Sequence, residues 1–185
     1  MPFRYEIRLS GAGGQGLILA GKIIAEAAVI FQDLNATQSQ SYGPEARGGA
    51  SRSEVVISDE EIDYPKTSKV DLLLAMTQEA FDKYLHEVKD DGMIIIDSGY
   101  VKSGGEEVLK VFSVPITEIA EKETGRSLTA NIVALGVITI LSKIITEVAV
   151  KEAIMARVPK GTEEMNLKAF AAGIRIGNEL KSRLA

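Results

Sequence analysis

The sequence predicts an α/β fold, a mainly parallel sheet flanked by helices with a helical C-terminal part. Three observations predict it. Apolar segments of strand length alternate with helical patterns from residue 5 to residue 124. Several of the strand candidates are apolar at consecutive positions, as in strands covered on both faces. A glycine-rich turn, "SGAGGQG", separates the first strand from the first helix, which makes the arrangement Rossmann-like.

In chain order, "YEIRL" (5–9) is the first strand and "LILAGKIIAEAA" lies within a helix over 16–31. That helix carries Lys22 and Glu26 on one narrow face and small or aliphatic residues nearly everywhere else, so it must be covered on most sides. An extended stretch, "LNATQSQ", follows, then strands "EVVIS" (54–58), "VDLLLAM" (70–76), "GMIIID" (92–97) and "LKVFSV" (109–114). Helices are predicted over 78–89, 116–124, 129–144, 147–157 and 164–183. The last begins at Thr162-Glu163-Glu164, a capped, acid-first start after the break at "PKG".

A chain of 185 residues, 45% hydrophobic and 25% charged, with no linker and no repeat, is expected to form a single domain over 1–185. Its net charge of −5 is not clustered, which argues against nucleic acid as a partner. The apolar run "ANIVALGVITILSKII" (130–145) is too short for a membrane span and includes Asn131 and Lys143, so it reads as a buried helix. The start "MPFRYEIRLS" lacks the features of a signal peptide, and a cytoplasmic location is expected. There is no cysteine, which removes disulfides, thiol nucleophiles and cysteine-ligated iron–sulfur clusters.

Gly11, Gly13 and Gly16 match G-x-G-x-x-G between strand and helix. The first permits the turn, the second lets a phosphate approach the main chain, the third lets helix and strand pack closely, and Gly14 adds freedom. The free NH groups opening the helix then form an anion site. The same glycines would also serve a tight turn that binds nothing. A nicotinamide dinucleotide is disfavoured as the ligand. Asp33 precedes the next extended stretch instead of ending it, and Gln38 to Ser41 at that end are neutral.

The second unusual segment is "QSYGPEARGGAS" (40–51). Arg47 stands between a Pro turn and the pair Gly48-Gly49, where a guanidinium could hold a phosphate or carboxylate through two parallel hydrogen bonds, with Ser39, Ser41 and Ser51 as nearby donors. Alternatively Glu45 and Arg47 pair in a solvated loop, or the loop docks on another subunit. His86, the sole histidine, reads as a surface residue with no second ligand to complete a metal site. Asp97 ends a strand where ligand sites gather, and reads first as the cap of the following turn.

"GAGGQGLILAGKIIAEAA" followed by "SYGPEARGGASRSEVVIS" closely resembles the gamma subunits of 2-oxoacid:ferredoxin oxidoreductases, and the second segment is most similar to the 2-oxoglutarate branch. The resemblance covers essentially the whole chain. It implies an enzyme that decarboxylates a 2-oxoacid on thiamine diphosphate, passes electrons through iron–sulfur clusters to ferredoxin, and hands the acyl group to coenzyme A. It places thiamine diphosphate and magnesium on alpha and beta subunits and the clusters on beta or delta subunits, with none of them bound by this chain. The gamma subunit helps assemble the complex and lies near the coenzyme A path. By carry-over, Gly11, Ala12, Gly13, Gly14, Gln15 and Gly16, with Ser41, Tyr42, Gly43, Arg47, Gly48, Gly49 and Ser51, are expected near coenzyme A, and no residue of this chain is expected to be catalytic. Pyruvate, branched-chain 2-oxoacids and indolepyruvate are the alternative substrates within that family. A stand-alone nucleotide-binding protein or small NAD-dependent enzyme is the alternative outside it.

Overall fold

Each apolar run finds a place in one sheet. A computed structural model of the chain describes residues 3–42, 50–103 and 110–183. Its strands are β1 (Arg4–Ala12), β2 (Asn35–Tyr42), β3 (Ala50–Ser58), β4 (Val70–Ala75), β5 (Val88–Asp97) and β6 (Lys110–Val114). They form a six-stranded sheet in the order β2-β3-β1-β4-β5-β6. The helices are α1 (Leu17–Gln32), α2 (Gln78–Tyr84), α3 (Ile116–Thr124), α4 (Ala130–Ser142), α5 (Glu147–Arg157) and α6 (Glu163–Ser182).

β1, β4, β5 and β6 are mutually parallel, joined through segments long enough to cross over the sheet. β3 is reversed, antiparallel to both β1 and β2. The reason lies in the chain length between Tyr42 and Ala50, which is too short for a parallel crossover but sufficient for a hairpin-like return. The sheet is therefore mainly parallel with one strand inverted near its edge.

The two faces differ. Ile7, Leu9, Val55, Ile57, Leu72, Leu74 and Ile95 pack with α1, α3, α4, α5 and α6 into the larger core. On the opposite face β4 and β5 carry a smaller apolar layer, Val70, Leu73, Ala75, Ile94 and Ile96, under Phe81 and Tyr84 of α2, with Val111 of β6 packed against it. Both faces of the central strands are thus apolar, whereas the second face of β1 is buried but polar, with Glu6, Arg8 and Ser10. α4 is buried at every position from Ala130 to Thr139, as expected of a core helix. Among the described residues, no helix is long and apolar enough to cross a membrane.

Several boundaries move: β3 begins at Ala50 instead of Glu54, and α4 ends at Ser142 instead of Ile144. The helix predicted over 78–89 ends at Tyr84, continues as a short 3-10 turn over Leu85–Glu87, and gives way to β5, whose Val88 pairs with Val70. α6 starts on Glu163 and Glu164 as expected. The Thr162 hydroxyl, however, donates to Pro159 O (2.7 Å) and accepts from Asn166 Nδ2 (3.0 Å) instead of capping the helix.

Candidate functional site

The glycine turn lies at the carboxyl end of the parallel strands, and its glycines divide their work differently from the simple fingerprint. Gly11 is still in β1, opposite Ser51 of β3. A Cβ there would lie 2.2 Å from Gln15 Oε1 and 2.9 Å from Met76 Cβ, so Gly11 lets β1, the turn and the end of β4 meet. Gln15 staples that junction: its Oε1 accepts from Ala12 N (2.8 Å) and its Nε2 donates to Met76 O (3.4 Å). Gly13 is exposed, and Gly14, with φ 91°, faces open space with no atom near its missing Cβ. Gly16, with φ 72°, is backed by Asn131 of α4, whose Nδ2 donates to Gly16 O (3.0 Å) and would lie 2.5 Å from a Cβ. The third glycine therefore admits a helix 115 residues away. Close packing of α1 on the sheet falls instead to Gly21, whose Cβ would lie 2.1 Å from Ser53 Oγ.

The second sequence segment meets the first at this end of the sheet. Ser41 pairs with Arg52, Tyr42 with Ser51, and Gly11 and Ala12 with Ser51 and Ala50. Gly43, Arg47, Gly48 and Gly49 lie outside the described residues, but the chain leaves and re-enters the sheet beside the glycine turn. Asp33, in contrast, closes α1 at the opposite end, next to the start of β2. His86 is exposed in the 3-10 turn.

A cleft of about 220 Å³ opens here, lined by Gly14, Gln15, Met76, Tyr100, Thr117, Ser127, Leu128 and Ala130. Three helices begin at it: α1 after Gly16, α3 at Thr117 and α4 at Ala130. None is capped by the side chain of its own N-cap residue, nor is α6, which starts elsewhere; α2 and α5 are capped by Thr77 and Thr146. The first turns of α1 and α4 also carry no acidic residue. Asp97, fully buried at the end of β5, braces the rim: Oδ1 accepts from Gly99 N (3.1 Å) and Oδ2 from Thr117 N (3.0 Å) and Thr117 Oγ1. It acts as the cap the sequence suggested. Chemically, Thr117 N is taken by Asp97 and Ala130 N by Ser127 O, so of the three helix ends at the cleft the N-terminus of α1 is the one that suits an anion.

The pyruvate ferredoxin/flavodoxin oxidoreductase family model matches residues 6–176. This chain belongs to that family. It is 49% identical to the 2-oxoglutarate synthase subunit KorC of Methanocaldococcus jannaschii over 96% of this chain and 96% of the relative. It is 47% identical to KorC of Methanothermobacter marburgensis over 92% of this chain and 95% of that one. Among solved structures, the gamma subunit of a keto/oxoacid ferredoxin oxidoreductase from Geobacter sulfurreducens superposes with a TM-score of 0.85 at 47% identity, covering 94% of this chain and 95% of that chain.

One feature of this oxidoreductase-family chain escaped the sequence reading. Arg8, 2% exposed, projects from β1 beneath the sheet, where Nε donates to Glu54 Oε1 (2.8 Å), Nη1 to Glu87 Oε2 (2.6 Å) and Nη2 to Thr67 Oγ1 (3.1 Å), with Tyr84's ring 4.7 Å away. The signal was present in "RYEIRL", where Arg4, Glu6 and Arg8 alternate with apolar residues at strand period. Burial alone would raise the Glu54 carboxyl. Hydrogen bonds from Thr67 and Arg8 and the charges of Arg8 and Arg52 outweigh it and hold Glu54 below its usual value of 4.5. A depressed folded value means a contribution present above the unfolded value and lost as pH falls through the folded one. Melting curves from pH 7 to pH 3 should therefore fall less steeply for Glu54→Gln than for wild type, with the variant the less stable at pH 7. Parallel curves would show that Glu54 does not couple folding to acid.

Proposed function

We propose that this chain is the gamma-type subunit of a 2-oxoglutarate:ferredoxin oxidoreductase and that it holds the phosphate-bearing part of coenzyme A. The whole enzyme converts 2-oxoglutarate, coenzyme A and oxidised ferredoxin into succinyl-CoA, carbon dioxide and reduced ferredoxin. Thiamine diphosphate, magnesium and the iron–sulfur clusters sit on partner alpha, beta or delta subunits, in keeping with a chain that has no cysteine. The complex works in the cytoplasm. The 2-oxoglutarate assignment draws on the 49% identity to a subunit so named. The observation that carries the coenzyme A role is the cleft beside the glycine turn, where α1 begins with no side-chain N-cap and no acidic residue in its first turn. Coenzyme A supplies the anionic groups such a site suits, with Gly14 and Gln15 of the glycine turn lining the cleft that would receive them.

Arg47 adds the permanent positive charge of the second segment. A hydrogen bond to a charged group contributes about 1.5 to 3 kcal/mol, so in the assembled enzyme Arg47→Ala should raise KM for coenzyme A roughly ten- to a hundredfold. KM for 2-oxoglutarate should stay at its wild-type value, because decarboxylation takes place on other chains. Arg47→Lys should recover only part, keeping charge without the planar fork. Steady-state kinetics on complexes verified by gel filtration checks this. An assembled Arg47→Ala enzyme with both KM values unchanged removes Arg47 from the coenzyme site.

A further inference from the structure

The sequence requires α1 to be covered on most sides, and the structure leaves one side open. Val29 (43% exposed), Ile30 (66% exposed) and Phe31 stand in solvent at its C-terminal end. Three large apolar side chains in a row exceed the scattered exposures of an ordinary surface, and such a patch marks a contact with another molecule. A shallow groove of about 340 Å³ runs beside it, lined by Lys22, Glu26, Val29 and Ile30 of α1, Gln38 of β2 and Arg157 of α5. The open flank of α1 therefore borders the free edge of the sheet.

The two sheet edges are not alike. β6 is five residues long, opens on Lys110 and is followed at once by Pro115, features by which natural sheets discourage further pairing. β2 runs for eight residues, NATQSQSY, with no charge, no proline and an unbroken register against β3. Among the described residues it pairs with β3 alone, so its outer NH and C=O groups offer a template for another strand.

A second copy of this chain fits the edge and the flank together. A two-fold axis normal to the sheet at Gln38 sets β2 antiparallel to its own copy, with no charged side chain in either strand to repel the other. α1 packs across β2 and β3, so its axis lies about half a strand spacing inside β2, while the two-fold lies about half a spacing outside it. With strands about 4.8 Å apart, the two copies of α1 come to lie about 10 Å apart, the distance at which helices pack. They run antiparallel, so Lys22 of each copy falls opposite Val29 and Ile30 of the other, its stem on apolar surface and its ammonium within reach of the other copy's Glu26. Glu26 also pairs with Arg157 of its own chain, so the two glutamates nearest the axis do not meet as bare charges.

We propose that this chain forms a two-fold dimer by pairing β2 with β2 of a second copy, which joins two six-stranded sheets into one and buries the Val29 and Ile30 flank between paired α1 helices. The cleft at Gly14 and Thr117 takes no part, so the inference stands apart from the coenzyme reading.

The test is the mass of the full-length chain in solution, by sedimentation over a concentration series. Wild type should weigh twice 19.9 kDa at micromolar concentration. Ile30→Glu should raise the dimer dissociation constant at least about a hundredfold, about tenfold for each copy, with an unchanged circular dichroism spectrum because the side chain is exposed in the single chain. Ile30→Val should stay dimeric. The absence of cysteine allows a second readout. Gln38→Cys should form an intermolecular disulfide on mild oxidation, since paired antiparallel strands hold opposed Cα atoms about 4.5 to 5.5 Å apart, within disulfide reach, whereas Leu128→Cys should not. A monomeric wild type overturns the proposal, and if Ile30→Glu then also enters the oxidoreductase complex poorly, the flank belongs to a partner subunit. A dimer that Ile30→Glu leaves intact, or that Gln38→Cys fails to cross-link, is built on another surface and overturns it as well.

Discussion

Gly173→Val is expected to leave the chain largely unfolded at temperatures where the wild type is stable. α6 crosses α4 at Gly173 and Gly136 with main chain against main chain. A Cβ on Gly173 would lie 2.1 Å from Val133 O and 2.9 Å from Gly136 Cα. One on Gly136 would lie 2.5 Å from Phe170 O and 2.6 Å from Ile174 N. These neighbours are backbone atoms in helices, so no rotamer change relieves the clash and α6 must move outward as a body. That movement also uncovers Ala169 and Phe170, which are buried in the larger core.

Alanine is the smaller test. Replacing Gly with Ala inside a helix normally gains about 0.5 to 1 kcal/mol, whereas overpacking costs about 1 to 3 kcal/mol and occasionally more. With contacts this short against rigid atoms the upper end applies, and Gly173→Ala should lose about 2 kcal/mol net, or about 4 to 8 °C in Tm for a chain of this size. Valine adds two methyl groups to the same space and should exceed that several-fold. Gly136→Ala should act in the same direction, and the double alanine variant should cost less than the sum, because one displacement of α6 relieves both clashes. Thermal melts followed by circular dichroism measure all of these. A Gly173→Ala protein melting within about a degree of wild type would show that the two helices are not in main-chain contact.

This crossing shows which parts of the molecule were legible in the sequence and which were not. α4 could be read as a buried helix because its burial is written in its own composition. That Gly136 and Gly173 face each other is not, since helical glycines look alike until a partner is placed against them. The same holds at the site. Spacing located Gly11, Gly13, Gly14 and Gly16, but the neighbour that requires Gly16 is Asn131 and the neighbours that require Gly11 include Met76, both supplied by tertiary structure. Val88 falls inside the helix predicted over 78–89, and Phe81, Tyr84, Leu85 and Val88 do keep helical spacing. Pairing with Val70 overrides that local preference. The reversal of β3 follows from loop length once β2 is accepted as a strand, and β2 was hard to read because "NATQSQSY" has no apolar alternation. The cleft itself was beyond the sequence: α3 and α4 were both predicted, yet only the fold brings their first turns beside α1.

That convergence can be tested with a single carboxylate. Gly14 has φ 91° and open space where its Cβ would be, so a side chain there suffers backbone strain but no collision. Asn and Asp are the residues that best tolerate left-handed backbone, and they share the strain while differing in charge. Gly14→Asp thus places a negative charge at the mouth of the anion site, and Gly14→Asn is its neutral control. Without ligand, Asp should be the more stable of the two by about 0.3 to 1 kcal/mol, because it faces a helix N-terminus with no acid of its own. With coenzyme A the order should reverse. Two like charges about 5 Å apart at an effective dielectric near 20 repel by about 3 kcal/mol, equivalent to roughly a hundredfold in affinity. In the assembled enzyme, KM for coenzyme A should rise about a hundredfold further for Asp than for Asn, with KM for 2-oxoglutarate equal in both. At about 1 M salt, where the screening length falls to about 3 Å, the gap should narrow sharply. Equal KM values for coenzyme A in the two variants at low salt would mean that its phosphates do not lie at these helix ends, whatever the stability measurements show.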